Sequence, residues 1–216
     1  MTEATKQALT GLRDFSTLKW YVVPLLCIVF YFYTKEIRKA RQTRNWDAVL
    51  AALTVFGLDF FNESWNGWVL VFTGRSALWT APGDTALRVT VGWNIEIIFM
   101  FLLLGYVYYY SLSETRDKKI LGINEKWAVA IAYTIICVAV ECILNYGGLL
   151  IWEYPFWNRT FAGVWLILII GYFIFFLGAL IMISLKKMKS KLTMLGIVYA
   201  VPIAMNIIAS VLGWRY

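Results

Sequence analysis

Residues 56–73 read Phe-Gly-Leu-Asp-Phe-Phe-Asn-Glu-Ser-Trp-Asn-Gly-Trp-Val-Leu-Val-Phe-Thr. The run is apolar enough to belong to a membrane-spanning helix, yet Asp59, Glu63 and Asn66 interrupt it. Their spacings of four and three put all three on one helical face. A carboxylate near mid-bilayer costs about 2.5–3.5 kcal/mol on insertion scales, and two on one face about double that. A stripe this costly calls for a role beyond packing, and it limits the chain to folds that can shield it from lipid.

Composition agrees that lipid is the solvent. Of 216 residues 61% are hydrophobic and 15% charged, against about 45–50% and about 25% for soluble domains. The apolar runs are too long for soluble core helices. The expected fold is an all-α polytopic bundle. Six spans are read near 18–34, 46–73, 88–112, 127–152, 160–185 and 192–213, with seven as the alternative count. No Gly/Ser- or Pro-rich linker divides the chain, so residues 18–216 form one bundle. Residues 1–17 are read as a short interfacial amphipathic helix or as a disordered lead-in. The second and third spans resemble the fourth and fifth: each pair has an acid or amide stripe, an aromatic loop and a Gly-Tyr step (Gly105-Tyr106, Gly171-Tyr172). This pattern fits an internal two-helix repeat.

The formal charge of +7 does not point to nucleic acid. Thirteen of the 20 Lys and Arg residues flank the loops after the first, third and fifth spans: Lys35, Arg38, Lys39, Arg41 and Arg44; Arg116, Lys118, Lys119 and Lys126; Lys186, Lys187, Lys189 and Lys191. The positive-inside rule puts those loops in the cytoplasm. Histidine is absent, which removes the commonest general base and metal ligand. Cys27, Cys137 and Cys142 lie in apolar runs without a Cys-x-x-Cys, and read as small buried hydrophobes. No phosphate loop, paired-acid metal motif, hydrolase triad or dinucleotide fingerprint is present. No metal or other cofactor is expected.

The remaining polar groups collect in the half of the bundle away from the basic loops. Asp59 and Glu63 come from the second span, and Asn94 and Glu96 from the start of the third. Glu141, Asn145, Gly148 and Trp152 form a stripe at spacings of four, three and four on the fourth, and Asn206 lies on the sixth. A shared cavity explains their common depth with one assumption; a purely structural polar network is the alternative. Candidate catalytic residues are Glu63, Glu96, Asp59 and Glu141. Candidate binding residues are Asn62, Trp65, Asn66, Trp93, Asn94, Asn145, Trp152 and Asn206. Trp65 and Trp93 adjoin the acids, and aromatic faces beside acids suit a cationic guest or intermediate. The loop 74–87 either closes over the cavity or is a plain connector. Arg75 and Arg88 at its ends are placed to pair with the acids or to hold an anionic head group.

A desolvated carboxylic acid holds its proton and can deliver it to an alkene or epoxide. The cluster Asn62, Glu63, Trp65 and the pattern Trp93-Asn94-Ile95-Glu96 resemble motifs of the small integral-membrane terpene cyclases of meroterpenoid pathways, as do the chain's size and helical layout. The likeness covers about a third of the chain. It implies a cyclase or isomerase acting on an apolar or amphipathic small molecule, with Glu63 as proton donor. The family's second acid near the C-terminus has no counterpart here, where the sixth span offers Asn206. Two other classes remain: a proton-coupled carrier or binding protein for organic cations or lipids, and a structural membrane subunit.

Overall fold

A computed structural model describes residues 1–113 and 118–216; Arg116, counted above among the basic loop residues, lies outside them. Seven helices follow in order: α1 (Glu3–Thr10), α2 (Val22–Thr43), α3 (Asp47–Thr73), α4 (Ile95–Tyr110), α5 (Glu125–Tyr146), α6 (Val164–Ser184) and α7 (Met188–Val211). A 3-10 turn (Phe15–Thr17) and four two-residue strands complete the elements among the described residues: β1 (Trp79–Thr80), β2 (Lys119–Ile120), β3 (Ile123–Asn124) and β4 (Ile151–Trp152).

The bundle is all-α. Among the described residues three helices, α5, α6 and α7, are long and apolar enough to cross a membrane. That is fewer than the six spans expected, and each shortfall has a local cause. The end of α2 runs through Lys35, Glu36, Arg38, Lys39 and Arg41, which leaves a short apolar part. The polar stripe of α3 dilutes its apolar run. The 16 residues of α4 are apolar but short.

The first predicted span was ended at residue 34, but the helix runs on to Thr43, and two boundaries near the site move as well. The third predicted span was placed from residue 88, but α4 starts at Ile95, where the Asn94 side chain caps it by accepting from the Ile97 N–H at 2.9 Å. The fourth was carried to residue 152, but α5 ends at Tyr146. Gly148, at φ +72°, turns the chain, and β4 then pairs antiparallel with β1, Trp152 opposite Trp79.

The packing is organised around α3, which contacts α4, α6 and α7. Gly105 of α4 lets two backbones meet: a Cβ there would fall 2.4 Å from the Ala52 Cα, the close approach that small residues permit between helices in lipid. The main apolar core joins Val55 of α3, Phe101 and Tyr108 of α4, and Phe175, Phe176 and Ala179 of α6. A second cluster seats α1 through Ala8 against Leu70, Ala77, Val91, Ala209 and Tyr216. Residues 74–94 form a long loop over the same end of the bundle, tied to the N-terminal segment where the Arg13 N–H donates to the Arg88 carbonyl at 2.7 Å.

Candidate functional site

The polar stripe of α3 faces a cavity of about 150 Å³. Asp59, Asn62 and Glu63 enter it from α3, Cys137 and Glu141 from α5, Gly171 and Tyr172 from α6, and Trp79 and Gly92 from the loop; Trp157 lies beside them. The rest of the wall is apolar, including Met100, Phe101 and Leu104 of α4. Among the described residues no Lys or Arg lines it. Residues 167–173 of α6 are wound as a π-helix, and this wider turn presents Ile167, Gly171 and Tyr172 to the cavity. Short π segments recur at functional sites.

Each of the two α3 acids in the cavity is held by an indole. The Trp93 Nε1–H donates to Asp59 Oδ2 at 2.8 Å, and the Trp93 ring is stacked with Phe56 at 5.8 Å and Phe60 at 5.6 Å. The Trp79 Nε1–H donates to Glu63 Oε1 at 2.7 Å, and the Thr90 hydroxyl donates to Oε2 at 3.1 Å. The Tyr172 hydroxyl is a polar neighbour of Glu141 on the cavity wall. Both Asp59 and Glu63 are 3% exposed.

Asn66 extends the stripe into the loop. Its Oδ1 accepts from the N–H groups of Leu78 at 2.8 Å and Trp79 at 3.2 Å, and its Nδ2 donates to the Trp79 carbonyl at 2.7 Å. Gly92 completes the seat, because a Cβ there would come within 2.7 Å of the Trp79 ring and of Asn66 Nδ2. The loop 74–94 therefore closes the cavity through Trp79.

Three of the four candidate acids meet; Glu96 does not. It accepts from the Tyr21 hydroxyl at 2.6 Å, the Thr85 hydroxyl at 2.5 Å and the Ala86 N–H at 2.9 Å. It thus pins the start of α4 to Tyr21 and the loop, while its neighbour Ile97 is the residue of that first turn that lines the cavity.

Of the candidate binding residues, Asn62 lines the cavity and donates to the Gly171 carbonyl at 3.4 Å, and Trp93 orients Asp59. The others serve elsewhere. Trp65 is 44% exposed, on the side of α3 away from the stripe. Asn66 clamps the loop, Asn94 caps α4, and Asn145 donates to the Leu150 carbonyl at 2.9 Å, closing the turn after α5. Trp152 packs in the strand pair, not on a helical stripe with Glu141. Asn206 joins α7 to α3 by donating to Ser64 Oγ at 2.6 Å, and accepts from the Tyr216 hydroxyl at 3.0 Å.

The two arginines are also occupied. Arg75 donates to the Glu153 carbonyl at 3.3 Å and lies over the Tyr154 ring. Arg88 is buried, which draws its pKa down, and it donates to the carbonyls of Ala81, Ala8 and Gly83.

Trp79, Thr90, Tyr172, Cys137 and Trp157 were not singled out for the site from the sequence. Cys137 read as a small hydrophobe, and Tyr172 entered only through the Gly171-Tyr172 step of the repeat. Among the described residues no group of three His, Cys, Asp or Glu side chains is placed to hold a metal ion.

Fold and site together define an integral membrane helical bundle with an acid-lined, aromatic-walled cavity. The chain belongs to an uncharacterized membrane protein family, whose model matches residues 2–211. A protein of Archaeoglobus fulgidus, described as an uncharacterized protein, is 45% identical over 178 residues, 82% of each chain. No solved structure matches.

Proposed function

We propose that the protein is a membrane enzyme that performs acid-catalysed chemistry, isomerisation or cyclisation, on an isoprenoid-class substrate. One observation carries the reading: Asp59, Glu63 and Glu141, from two helices, share an apolar cavity that, among the described residues, no basic side chain lines. Structural hydrogen bonds between helices in lipid return about 0.6 kcal/mol each, little beside the cost of bringing three carboxyls into one apolar site.

The proposed step starts from the protonated Glu63 carboxyl. Its proton passes to an alkene carbon or an epoxide oxygen of the substrate, leaving a carbocation and the Glu63 carboxylate. The indoles of Trp79 and Trp157, stacked at 5.6 Å, stand beside the charge, an arrangement that stabilises cations. A neighbouring carbon loses a proton to ionised Asp59 or Glu141, forming the product alkene, and exchange among the three carboxyls returns the proton to Glu63. Positioned proton transfer of this kind contributes about 10²–10⁴-fold to rate.

The cavity's size narrows the substrate end. An apolar cavity of about 150 Å³ holds a benzene-sized group, so the reacting part is about one isoprene unit. The site lies in the half of the bundle away from the basic loops. With those loops in the cytoplasm, it serves the opposite leaflet.

The test is turnover of polyprenyl alcohols and their terminal epoxides by the purified chain in bilayers. Glu63→Gln should lower turnover by about 10²-fold or more, with Glu96→Gln near native. Equal turnover by Glu63→Gln and the native chain overturns the reading. The same acids beside indole faces also suit a proton-coupled carrier of organic cations, for which pH-gradient-driven uptake of a cationic dye into vesicles is the distinguishing result.

A further inference from the structure

The cavity has a mouth, and the mouth faces lipid. Near residues 110 and 125, α4 and α5 are clasped: the rings of Tyr108 and Tyr133 lie 6.1 Å apart, Ser111 Oγ is 2.5 Å from the Tyr133 hydroxyl, and the Tyr108 hydroxyl donates to the Lys126 carbonyl. Toward the other end the cavity lies between the two helices. Met100 of α4 and Ile136, Val140 and Leu144 of α5 line it, yet they are 46%, 56%, 46% and 36% exposed. Side chains that line a cavity and also face outward mark its rim. Every one of them is apolar, on a helix that is itself long and apolar enough to cross a membrane or packed beside one.

Polarity is graded along the depth. The rim is apolar, Glu141 stands half-buried just inside it, and the inner end holds the buried Asp59 and Glu63. Trp157, which lines the cavity and is 4% exposed, has an indole N–H with no acceptor among the described residues. A buried donor left unpaired costs about 1–3 kcal/mol, a cost that a guest oxygen would relieve. The enclosed volume is also below the roughly 300–1,000 Å³ of sites that engulf a drug-sized ligand, so a longer molecule must leave part of itself outside.

From these three facts we infer that the cavity is entered sideways from the bilayer, between α4 and α5, by a chain-bearing amphiphile. Its short oxygen-bearing end reaches the carboxyls and its chain stays among the lipids. The inference takes the same cavity as the proposed enzyme but not its acid chemistry.

The test uses the full chain in phosphatidylcholine nanodiscs and a polyprenyl alcohol bearing a diazirine beside its hydroxyl, with peptide mapping of the photoadducts. Adducts should fall on the inner wall around Cys137, Trp157 and Tyr172, and excess unlabelled alcohol should suppress them. Val140→Trp, at the rim, should lower inner-wall labelling by about tenfold. Leu144→Trp serves if that variant does not fold, and Val201→Trp on the lipid-facing side of α7 should change nothing. Labelling that ignores the rim variants, collects on residues 74–94 or resists competition overturns the inference. Because labelling reads occupancy, inner-wall adducts without turnover leave sideways entry standing and remove the acid chemistry. Turnover with labelling untouched by Val140→Trp does the reverse.

Discussion

The Trp79 indole N–H meets Glu63 Oε1 at 2.7 Å, joining a loop residue to a helix residue 16 positions earlier. The contact is possible because Asn66, one turn beyond Glu63, grips the Trp79 backbone on both its N–H and its carbonyl. One face of α3 thus holds the acids and also the lid that shields them. Shielding and acidity depend on the same few side chains, which makes the arrangement open to mutation.

Trp79→Phe keeps most of the ring but removes the donor. Glu63 Oε1 then loses a partner in a site where it cannot find water readily, at a cost of about 1–3 kcal/mol. Thermal unfolding in lipid nanodiscs should show the loss. An unchanged unfolding temperature would mean that the Trp79–Glu63 bond holds nothing.

Asn66→Leu is close in volume but strips the loop of three hydrogen bonds, and should destabilise by more than Trp79→Phe. Asn66→Gln keeps an amide donor and acceptor but shifts them by one methylene, so it should fall between Asn66→Leu and the native chain. Proteolytic cutting within residues 74–94 is the matching readout, expected to rise in the order native, Asn66→Gln, Asn66→Leu.

Gly92→Ala inserts a methyl 2.7 Å from the Trp79 ring and Asn66 Nδ2. Overpacking of this kind costs about 1–3 kcal/mol. Because the clash bears on the indole that holds Glu63, turnover should fall together with stability. Gly196→Ala, whose added Cβ meets no atom within 4 Å, is the control and should be near neutral.

Gly105→Ala places a Cβ 2.4 Å from a backbone carbon of α3, where no side-chain rotation gives relief. The α3–α4 packing should loosen, with lowered thermal stability in nanodiscs at least as large as for Gly92→Ala. A near-native unfolding temperature would contradict the packing described here.

The sequence revealed the membrane class and the acid stripe because both are local signals. Asp59, Glu63 and Asn66 at four and three share a face in any helix, and Glu141 stands out in an apolar run. What escaped the reading depends on distant contacts. Val89, Val91 and Trp93 make residues 88–94 look like a helix start, yet Thr90 is spent on Glu63, Gly92 on the Trp79 seat and Asn94 on the cap. Glu96 therefore lands at the first turn of α4, aimed at Tyr21 and Thr85. Tyr172 was visible only as a Gly-Tyr step, because the side it faces is set by the π segment at 167–173, which no local spacing announces. Trp152 was misplaced for a related reason: the stripe that carried it assumed a helix that Gly148 ends.

The central claim, that three carboxyls share one small lipid-shielded cavity, is most directly tested by carbodiimide modification of the chain in bilayers with intact-mass and peptide analysis. An apolar carbodiimide fills a space fit for a benzene-sized group, so one adduct should exclude a second. Saturation at one adduct per chain, found on Asp59, Glu63 or Glu141 and not on Glu96, is the predicted result. Chains carrying two or three adducts among those residues, or none on any of them, would contradict the account.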